Sequence, residues 1–209
     1  MLRCCVAVLT LAVATSGFAA ENDEKDFKSL FDGKTFTGWK INENPGAWKI
    51  EDGAIRANGG RSHLFYVGDD KPFKNFELRV DVLTKENSNG GIYFHTKYQD
   101  EGWPKYGFEC QVNNTYVKDP IKTASLYQVK NVNDVYVKDD VWYTETIIVN
   151  GKHIITKVND KVVVDYTEPA DAKAGADFTR VVDEGTFALQ AHDPGSTVYF
   201  KNIRVKRLP

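Results

Sequence analysis

The sequence predicts an all-β domain, built either as a sandwich of two sheets or as a barrel. Most segments after residue 46 alternate apolar and polar side chains, the pattern of a strand with one buried face. Turn signals such as Asp52-Gly53 and Asn150-Gly151 separate these segments, as β-hairpins require. Helix patterns are almost absent, since the alanine-containing stretch 169–178 has no apolar period and indicates a loop. Many short strands with hairpin turns favour a sandwich or barrel over a parallel sheet.

The predicted strands follow one another closely along the chain. The stretches "AWKIEDGAIRA" (47–57), "NFELRVDVL" (75–83), "GGIYFHTKY" (90–98), "KYGFECQV" (105–112) and "TASLYQV" (123–129) come first. A meander, "WYTETIIVNGKHIITKVNDKVVVDY" (142–166), then turns at Asn150-Gly151 and Asn159-Asp160. The final stretch, 185–208, gives two strands joined by "HDPGS", where proline and glycine mark a turn.

Length and composition indicate a soluble globular protein with a single domain over residues 21–209. The chain has 209 residues, 42% of them hydrophobic and 27% charged, and all-β domains of this size commonly remain undivided. The formal net charge is −2, and no cluster of lysine and arginine residues occurs. The composition therefore gives no electrostatic footprint for nucleic acid or for a membrane surface. The oligomeric state is left open.

The first 20 residues have the composition of a secretory signal peptide. Arg3 precedes an apolar run from Val6 to Val13, and small residues end the segment at Ala19-Ala20. The apolar run is too short to cross a bilayer as a helix. We therefore expect an exported protein, periplasmic or extracellular, without a transmembrane segment. Its mature chain would keep Cys110 alone, so it would contain no intramolecular disulfide.

A set of polar side chains shares the strand faces opposite the apolar ones. It comprises His95, Glu109, Gln111, Gln190 and His192. One interpretation is that this face simply meets water. Against it stands the residue mix, because histidine, glutamate and glutamine are unusual where lysine, threonine and serine would serve. Imidazole and carboxylate groups also suit a divalent metal ion, so His95, Glu109 and His192 form a possible ligand set, although no cofactor is certain.

Three aromatic residues near this polar face offer flat apolar surfaces on which sugar rings stack. They are Tyr93, Tyr127 and Trp103. Familiar catalytic signatures are missing, including the nucleophile elbow, the zinc-binding H-E-x-x-H and a phosphate-cradling glycine loop. The glycine-rich "NSNGGI" at 87–92 precedes a strand and so offers no helix N-terminus to a phosphate.

Six strings in this order resemble the 3-keto-disaccharide hydrolase family. They are "LFDGKTFTGWK", "EDGAI", "FELRVDV", "NSNGGIYFHTKY", "YGFECQV" and "FALQAHDPGSTVYFKNIRVKRL". The resemblance runs from about Phe27 to Leu208. It implies a concanavalin A-like jelly-roll β-sandwich, whose concave sheet holds carbohydrate, in an exported bacterial protein that handles sugars oxidised to a ketone at C3.

The resemblance also carries particular residues of this chain. The family's Tyr-x-x-Glu-x-Gln strand corresponds to Tyr106, Glu109 and Gln111, and its Leu-Gln-x-His motif to the segment ending at His192. One position departs from the pattern, because many relatives have arginine where this chain has His95. The resemblance therefore implies a more certain role for Glu109 than for His95.

The implied reaction needs a base, a group that stabilises an enolate oxygen and an acid near the glycosidic oxygen. We expect Glu109, His192 and His95 to supply the catalytic groups, with Glu109 or a histidine as the base. A metal held by some of these residues, or Gln111 and Gln190 as donors, would stabilise the enolate. Substrate-binding residues are expected to be Gln111, Gln190, Tyr93, Tyr127 and Trp103. A glycosidase mechanism with two carboxylates is disfavoured, since the polar face shows a single obvious acid. The alternative function is a non-catalytic carbohydrate-binding module.

Overall fold

The computed structural model describes residues 24–209, and the predicted signal peptide lies outside this range. The described chain forms strands with one short 3-10 helix, Pro45–Ala47. The strands are β1 (Lys28–Ser29), β2 (Trp39–Ile41), β3 (Trp48–Glu51), β4 (Ala54–Ala57), β5 (Ser62–Tyr66), β6 (Phe76–Thr84), β7 (Gly90–Thr96), β8 (Phe108–Val112), β9 (Tyr143–Asn150), β10 (His153–Val158), β11 (Lys161–Thr167), β12 (Thr186–Ala191) and β13 (Val198–Arg207).

The strands form two antiparallel sheets. The larger has the order β11-β10-β9-β6-β13-β4-β3, with β1 also paired to β13. The smaller has the order β2-β5-β12-β7-β8. Apart from β7 and β8, neighbours in the smaller sheet are not consecutive strands, so the chain crosses repeatedly between the sheets. The expectation of an all-β sandwich is confirmed.

The core lies between the two sheets. Along β6 of the larger sheet, Phe76, Leu78, Val80 and Val82 are buried, whereas the residues between them are partly exposed. This strict alternation is the pattern that the sequence predicted. The larger sheet thus has one face on the core and one face toward solvent.

Strands β5, β7 and β8 of the smaller sheet are buried on both faces. Every residue of β5, β7 and β8 is buried, including the polar ones. Loops 97–107, 113–142 and 168–185 contribute residues to the walls above its outer face. The polar face that the sequence predicts is therefore not exposed to bulk solvent. It forms the floor of a site with walls made by these loops.

The predicted hairpin turns at Asp52-Gly53, Asn150-Gly151 and Asn159-Asp160 are all present between consecutive strands. The segment "TASLYQV", expected to be a strand, is instead a loop that runs beside β8. It makes backbone hydrogen bonds such as Ala124 N to Gln111 O (2.8 Å). Left-handed backbone at Ala124 and Gln128 interrupts any regular ladder.

The strand predicted to start at residue 105 begins only at Phe108. Gly107 has a φ of +70°, and a Cβ there would lie 2.1 Å from the Phe94 carbonyl oxygen. The alternating pattern therefore cannot extend back to Tyr106, which is 43% exposed and not on the apolar face. Among residues 24–209, no helix has the length and apolar character needed to span a membrane.

Candidate functional site

A pocket of about 310 Å³ opens on the outer face of the smaller sheet. Its floor comes from strand residues, and its walls come from loops. The floor residues are Tyr93, Glu109, Gln111, Gln190 and His192, the last directly after β12. The wall residues are Asn89, Trp103, Asp119, Tyr127, Gln128, Phe178 and Arg180. Seven of the eight residues predicted from sequence to form the site thus line one pocket.

Strand pairing brings the floor residues together. On β8, Glu109 and Gln111 point to the outer face because they alternate with the core residue Cys110. Directly opposite on β7, Tyr93 pairs with Glu109, and Gly91 pairs with Gln111. A Cβ at Gly91 would lie 2.5 Å from Glu109 Oε1. The glycine therefore leaves the space that the Glu109 carboxylate occupies.

Two side chains contact the Glu109 carboxylate: Gln190 donates a hydrogen bond to one oxygen, and the positively charged Arg180 lies near the other. Gln190 Nε2 donates hydrogen bonds to Glu109 Oε1 (2.9 Å) and to the Tyr93 hydroxyl (3.0 Å). Arg180 Nη2 lies 3.9 Å from Glu109 Oε2. Burial raises the pKa of Glu109 to about 7, against the opposing effects of Arg180, Tyr93 and Gln190. A carboxyl group with this pKa exchanges protons readily near neutral pH.

His192 is oriented by the residue that follows it. Its Nδ1 lies 2.8 Å from Asp193 Oδ2, and that carboxylate also accepts hydrogen bonds from the Ser196 hydroxyl and the Gly195 backbone amide, both at 2.8 Å. A carboxylate on Nδ1 favours the tautomer that carries the proton there and leaves Nε2 to exchange protons with a ligand. The His192 ring also packs 5.4 Å from the Trp103 ring, between centroids.

Aromatic side chains form part of the pocket wall. Trp103, Tyr127 and Phe178 come from three different loops. The Tyr127 hydroxyl donates a hydrogen bond of 3.2 Å to Asp119 Oδ2, which places a second carboxylate in the pocket. Aromatic faces beside hydrogen-bonding groups suit the alternating apolar and hydroxyl surfaces of a sugar.

His95 lies away from this pocket, so its predicted place on the polar face is wrong. Its backbone is left-handed (φ 54°), which breaks the alternation of β7 and turns the side chain toward Phe76, with ring centroids 5.6 Å apart. The ring bridges two backbone groups: Nε2 donates to the Lys74 carbonyl (2.9 Å), and Nδ1 accepts from the Asp183 amide (3.3 Å). His95 therefore ties the loop 168–185 to the sheet.

The structure does not assemble the predicted metal ligands. His95 faces Phe76, whereas Glu109 and His192 line the pocket. Within residues 24–209, no three His, Cys, Asp or Glu side chains are grouped so that they could hold a metal ion. The donor set within residues 24–209 therefore does not fit a metal centre.

Several pocket residues were not found from the sequence. Asp119, Phe178 and Arg180 lie on loops, where side-chain periodicity carries no information about facing. His63 lies fully buried on β5 opposite Gln190. Its ring packs 5.4 Å from that of Tyr93, and burial lowers its pKa to about 3, so it is neutral at physiological pH.

Comparison with known proteins places the chain among relatives of similar architecture. A curated 3-keto-disaccharide hydrolase from Bacteroides thetaiotaomicron is 27% identical, over 89% of this chain and 80% of its own length. The solved structure of a candidate glycosyl hydrolase from Parabacteroides distasonis superposes with a TM-score of 0.75 at 24% identity, covering 94% of this chain and 99% of that one.

A protein of unknown function with a galectin-like fold from Bacillus subtilis superposes with a TM-score of 0.62 at 10% identity, covering 87% of this chain and 94% of that one. The predicted concanavalin A-like sandwich is confirmed by these structures. The model of the 3-keto-alpha-glucoside-1,2-lyase-like domain matches residues 26–206. The chain therefore belongs to the 3-keto-alpha-glucoside-1,2-lyase-like domain family.

Proposed function

We propose that this protein is an exported bacterial enzyme that cleaves 3-keto-glycosides, 3-keto-disaccharides among them, by elimination at the glycosidic bond, with water addition completing net hydrolysis. Family membership and the Bacteroides relative support the substrate class. The observation that carries the mechanism is Glu109, a buried carboxyl group on the floor of an aromatic-walled pocket, with its pKa raised to about 7.

The ketone makes this chemistry accessible to a carboxylate base. A carbonyl at C3 acidifies the proton on C2, because the electron pair left behind delocalises onto the C3 oxygen as an enolate. Glu109 takes that proton in its ionised form. The enolate then returns its electrons, so that the C3 carbonyl reforms, a C1–C2 double bond forms, and the bond from C1 to the glycosidic oxygen breaks. Addition of water at C1, with a proton returned to C2, gives the free 3-keto sugar.

The leaving oxygen requires a proton, and His192 is the group suited to supply it. Asp193 accepts the hydrogen bond from Nδ1 at 2.8 Å and so orients the ring. A protonated imidazole held in this orientation can give its Nε2 proton to the departing alkoxide. Trp103 and Tyr127 would pack against the sugar ring. Gln111, Gln190 and Tyr93 would hydrogen-bond its hydroxyl groups.

A carboxylate pair gives the competing mechanism. Asp119 shares the pocket with Glu109, so direct displacement at C1 by two acids has a structural basis that the strand pattern did not reveal. The two routes differ at C2: elimination breaks the C2–H bond, and displacement leaves it intact. The elimination needs one carboxyl group as its base. Glu109, which accepts a hydrogen bond from Gln190 at 2.9 Å, supplies that group, so we favour the elimination.

Purified protein should be incubated with a 3-keto-disaccharide and, separately, with the parent disaccharide that lacks the ketone. We expect cleavage of the keto compound alone, and a loss of about 10²-fold or more in kcat for Glu109→Gln. Glu86→Gln, in an exposed turn, is the matched control. Because only the ionised base acts, kcat/KM should rise with pH through about 7. Binding of the keto-disaccharide without turnover would instead establish the carbohydrate-binding module.

A further inference from the structure

We infer that Arg180 is a further catalytic residue, which donates hydrogen bonds to the C3 oxygen of the substrate and stabilises the enolate. This inference rests on the proposed function, because it assigns the one role in the elimination that Glu109 and His192 leave unfilled. It concerns a loop residue, Arg180 in "DFTRVVD", that no strand pattern marks.

The Arg180 guanidinium is poorly satisfied by the described part of the protein. Its side chain is only 14% exposed, and Nη2 stands 3.9 Å from Glu109 Oε2. Charge-assisted hydrogen bonds between arginine and carboxylate normally measure about 2.7–2.9 Å, so this pair is near but not bonded. Nε and Nη1 are both buried and have no hydrogen-bond partner within residues 24–209.

Buried donors of a charged group are costly to leave unpaired. A ligand oxygen placed against them would remove that cost, and the pocket that Arg180 lines is where such a ligand would enter. Arginine also stays protonated at all relevant pH values, so the cation is present whatever the state of Glu109. A fixed cation facing developing negative charge is the usual means of stabilising an oxyanion.

The backbone holds this side chain in place. Arg180 has a φ of 46°, a left-handed conformation that is unfavourable for a residue with a Cβ and is often found at functional sites. The preceding Thr179 is bonded on both sides, through its amide to the Lys105 carbonyl (2.8 Å) and through its hydroxyl from the Gly107 amide (2.9 Å). These bonds connect the Arg180 loop to the loop that carries Trp103.

The other end of the loop is anchored as well. The Asp183 amide donates to His95 Nδ1, and the Val182 amide donates to Glu168 Oε1 at 2.5 Å. The Arg180 guanidinium carbon lies 5.2 Å from the centre of the Phe178 ring, which limits its rotation. A side chain on strained backbone, in a loop that is anchored at both ends, is positioned before a ligand arrives, which is what electrostatic catalysis requires.

The step assigned to Arg180 balances without another reactant. The electron pair of the C2–H bond moves to the C2–C3 bond as Glu109 accepts the proton, and the carbonyl π pair moves to the C3 oxygen. Arg180 holds that oxygen through N–H donors and loses no proton. The pair on the C3 oxygen then reforms the carbonyl, and the C2–C3 π pair moves to the C1–C2 bond. The C1–O bond breaks, and its electrons leave with the glycosidic oxygen, which takes a proton from His192.

The test measures exchange of the C2 proton for solvent deuterium, by NMR, with a 3-keto-glucoside in D₂O. Exchange reports enolate formation alone and does not require cleavage. We expect Arg180→Gln to lower the exchange rate constant at saturating substrate by about 10²–10³-fold, with a much smaller change in KM. Arg180→Lys, which keeps the charge but loses the fork of donors, should fall between. Arg56→Gln, on β4 of the larger sheet, is the matched arginine control.

The pH dependence separates two roles of the guanidinium. Since Arg180 lowers the pKa of Glu109, its removal should also move the acid limb of the exchange profile to higher pH. If Arg180→Gln recovers the wild-type exchange rate at pH 9, Arg180 acts only by tuning Glu109, and the inference is wrong. A loss confined to KM would also overturn it, because Arg180 would then bind the ground state, for example through an anionic substituent.

The two proposals fail in different ways. If the wild-type protein neither exchanges nor cleaves the keto sugar, the proposed function fails. If the wild type is active and Arg180→Gln matches it within about threefold, only the role of Arg180 fails. Circular dichroism and urea unfolding of both Arg180 variants verify that they fold, and Arg180→Lys keeps the test decisive if the glutamine variant does not.

Discussion

A carboxyl group in the core of the sandwich gives a quantitative prediction about stability. Glu145 on β9 is fully buried, next to the Cys110 thiol of the opposite sheet. Burial raises the pKa of Glu145 from 4.5 to about 8, with a smaller opposing effect of Cys110. The folded state therefore keeps the carboxyl group protonated at neutral pH, whereas the unfolded state ionises it. Stability from this group is present below pH 4.5 and is lost as pH rises toward 8.

The size of the effect follows from the two pKa values. Each pH unit between them costs about 1.4 kcal/mol, so the penalty is about 1 kcal/mol at pH 5 and about 3 kcal/mol at pH 7. Glu145→Gln keeps the shape and removes the titration. The unfolding free energy of Glu145→Gln minus that of the wild type should thus increase by about 2 kcal/mol from pH 5 to pH 7.

Urea unfolding at pH 5, 6 and 7 measures this difference. The comparison with the wild type is needed because His63 has the opposite effect on stability. Burial lowers the pKa of His63 to about 3, so the stability that neutral His63 contributes is lost as pH falls below 6.5. Glu86→Gln, at an exposed position, should give a difference that does not change with pH. If Glu145→Gln gives the same flat result, the Glu145 carboxyl group is not held neutral in the core, and the reasoning is refuted.

Two further predictions concern the pocket. Gly91→Ala places a Cβ 2.5 Å from Glu109 Oε1, so the carboxylate must move, and kcat should fall by about tenfold or more while urea stability changes little. Its neighbour Gly90→Ala meets Val198 instead, at 3.2 Å, and should leave activity intact; equal losses in both variants would contradict the assignment. Asp193→Asn should lower kcat for alkyl 3-keto-glycosides but not for nitrophenyl 3-keto-glycosides, because a nitrophenolate leaves without a proton from His192. An equal loss of kcat on both substrates would refute the role of His192 as the acid.

The strand pattern predicted the parts of the site that lie on strands. Glu109 and Gln111 were placed on one face by alternation with Cys110, and Gln190 joined them because β12 pairs with β7. His95 was misplaced because alternation assumes extended backbone, and its φ of 54° is a local departure that no residue type announces. The prediction fails there for a conformational reason, not for a chemical one.

Loop residues were beyond the reach of the same argument. Arg180 and Asp119 enter the pocket through the folding of segments 168–185 and 113–142, and nothing in their spacing relates them to β8. Gly91 lies within β7, as the predicted strand stretch 90–98 requires, but the room that it makes for Glu109 depends on the pairing of β7 with β8. Glu145 lies within the predicted meander, and an acid in an apolar run does not reveal that it faces the core.

The central claim is that Glu109 removes the C2 proton of a 3-keto-glycoside. The most direct test is to let the enzyme cleave a 3-keto-disaccharide in D₂O and to locate deuterium in the released 3-keto sugar by NMR, at times when the enzyme-free sample shows no exchange. The account predicts solvent deuterium at C2 with the wild type, and neither cleavage nor incorporation with Glu109→Gln. Cleavage by the wild type with the original C2 hydrogen retained would contradict it and would establish direct displacement by a carboxylate pair.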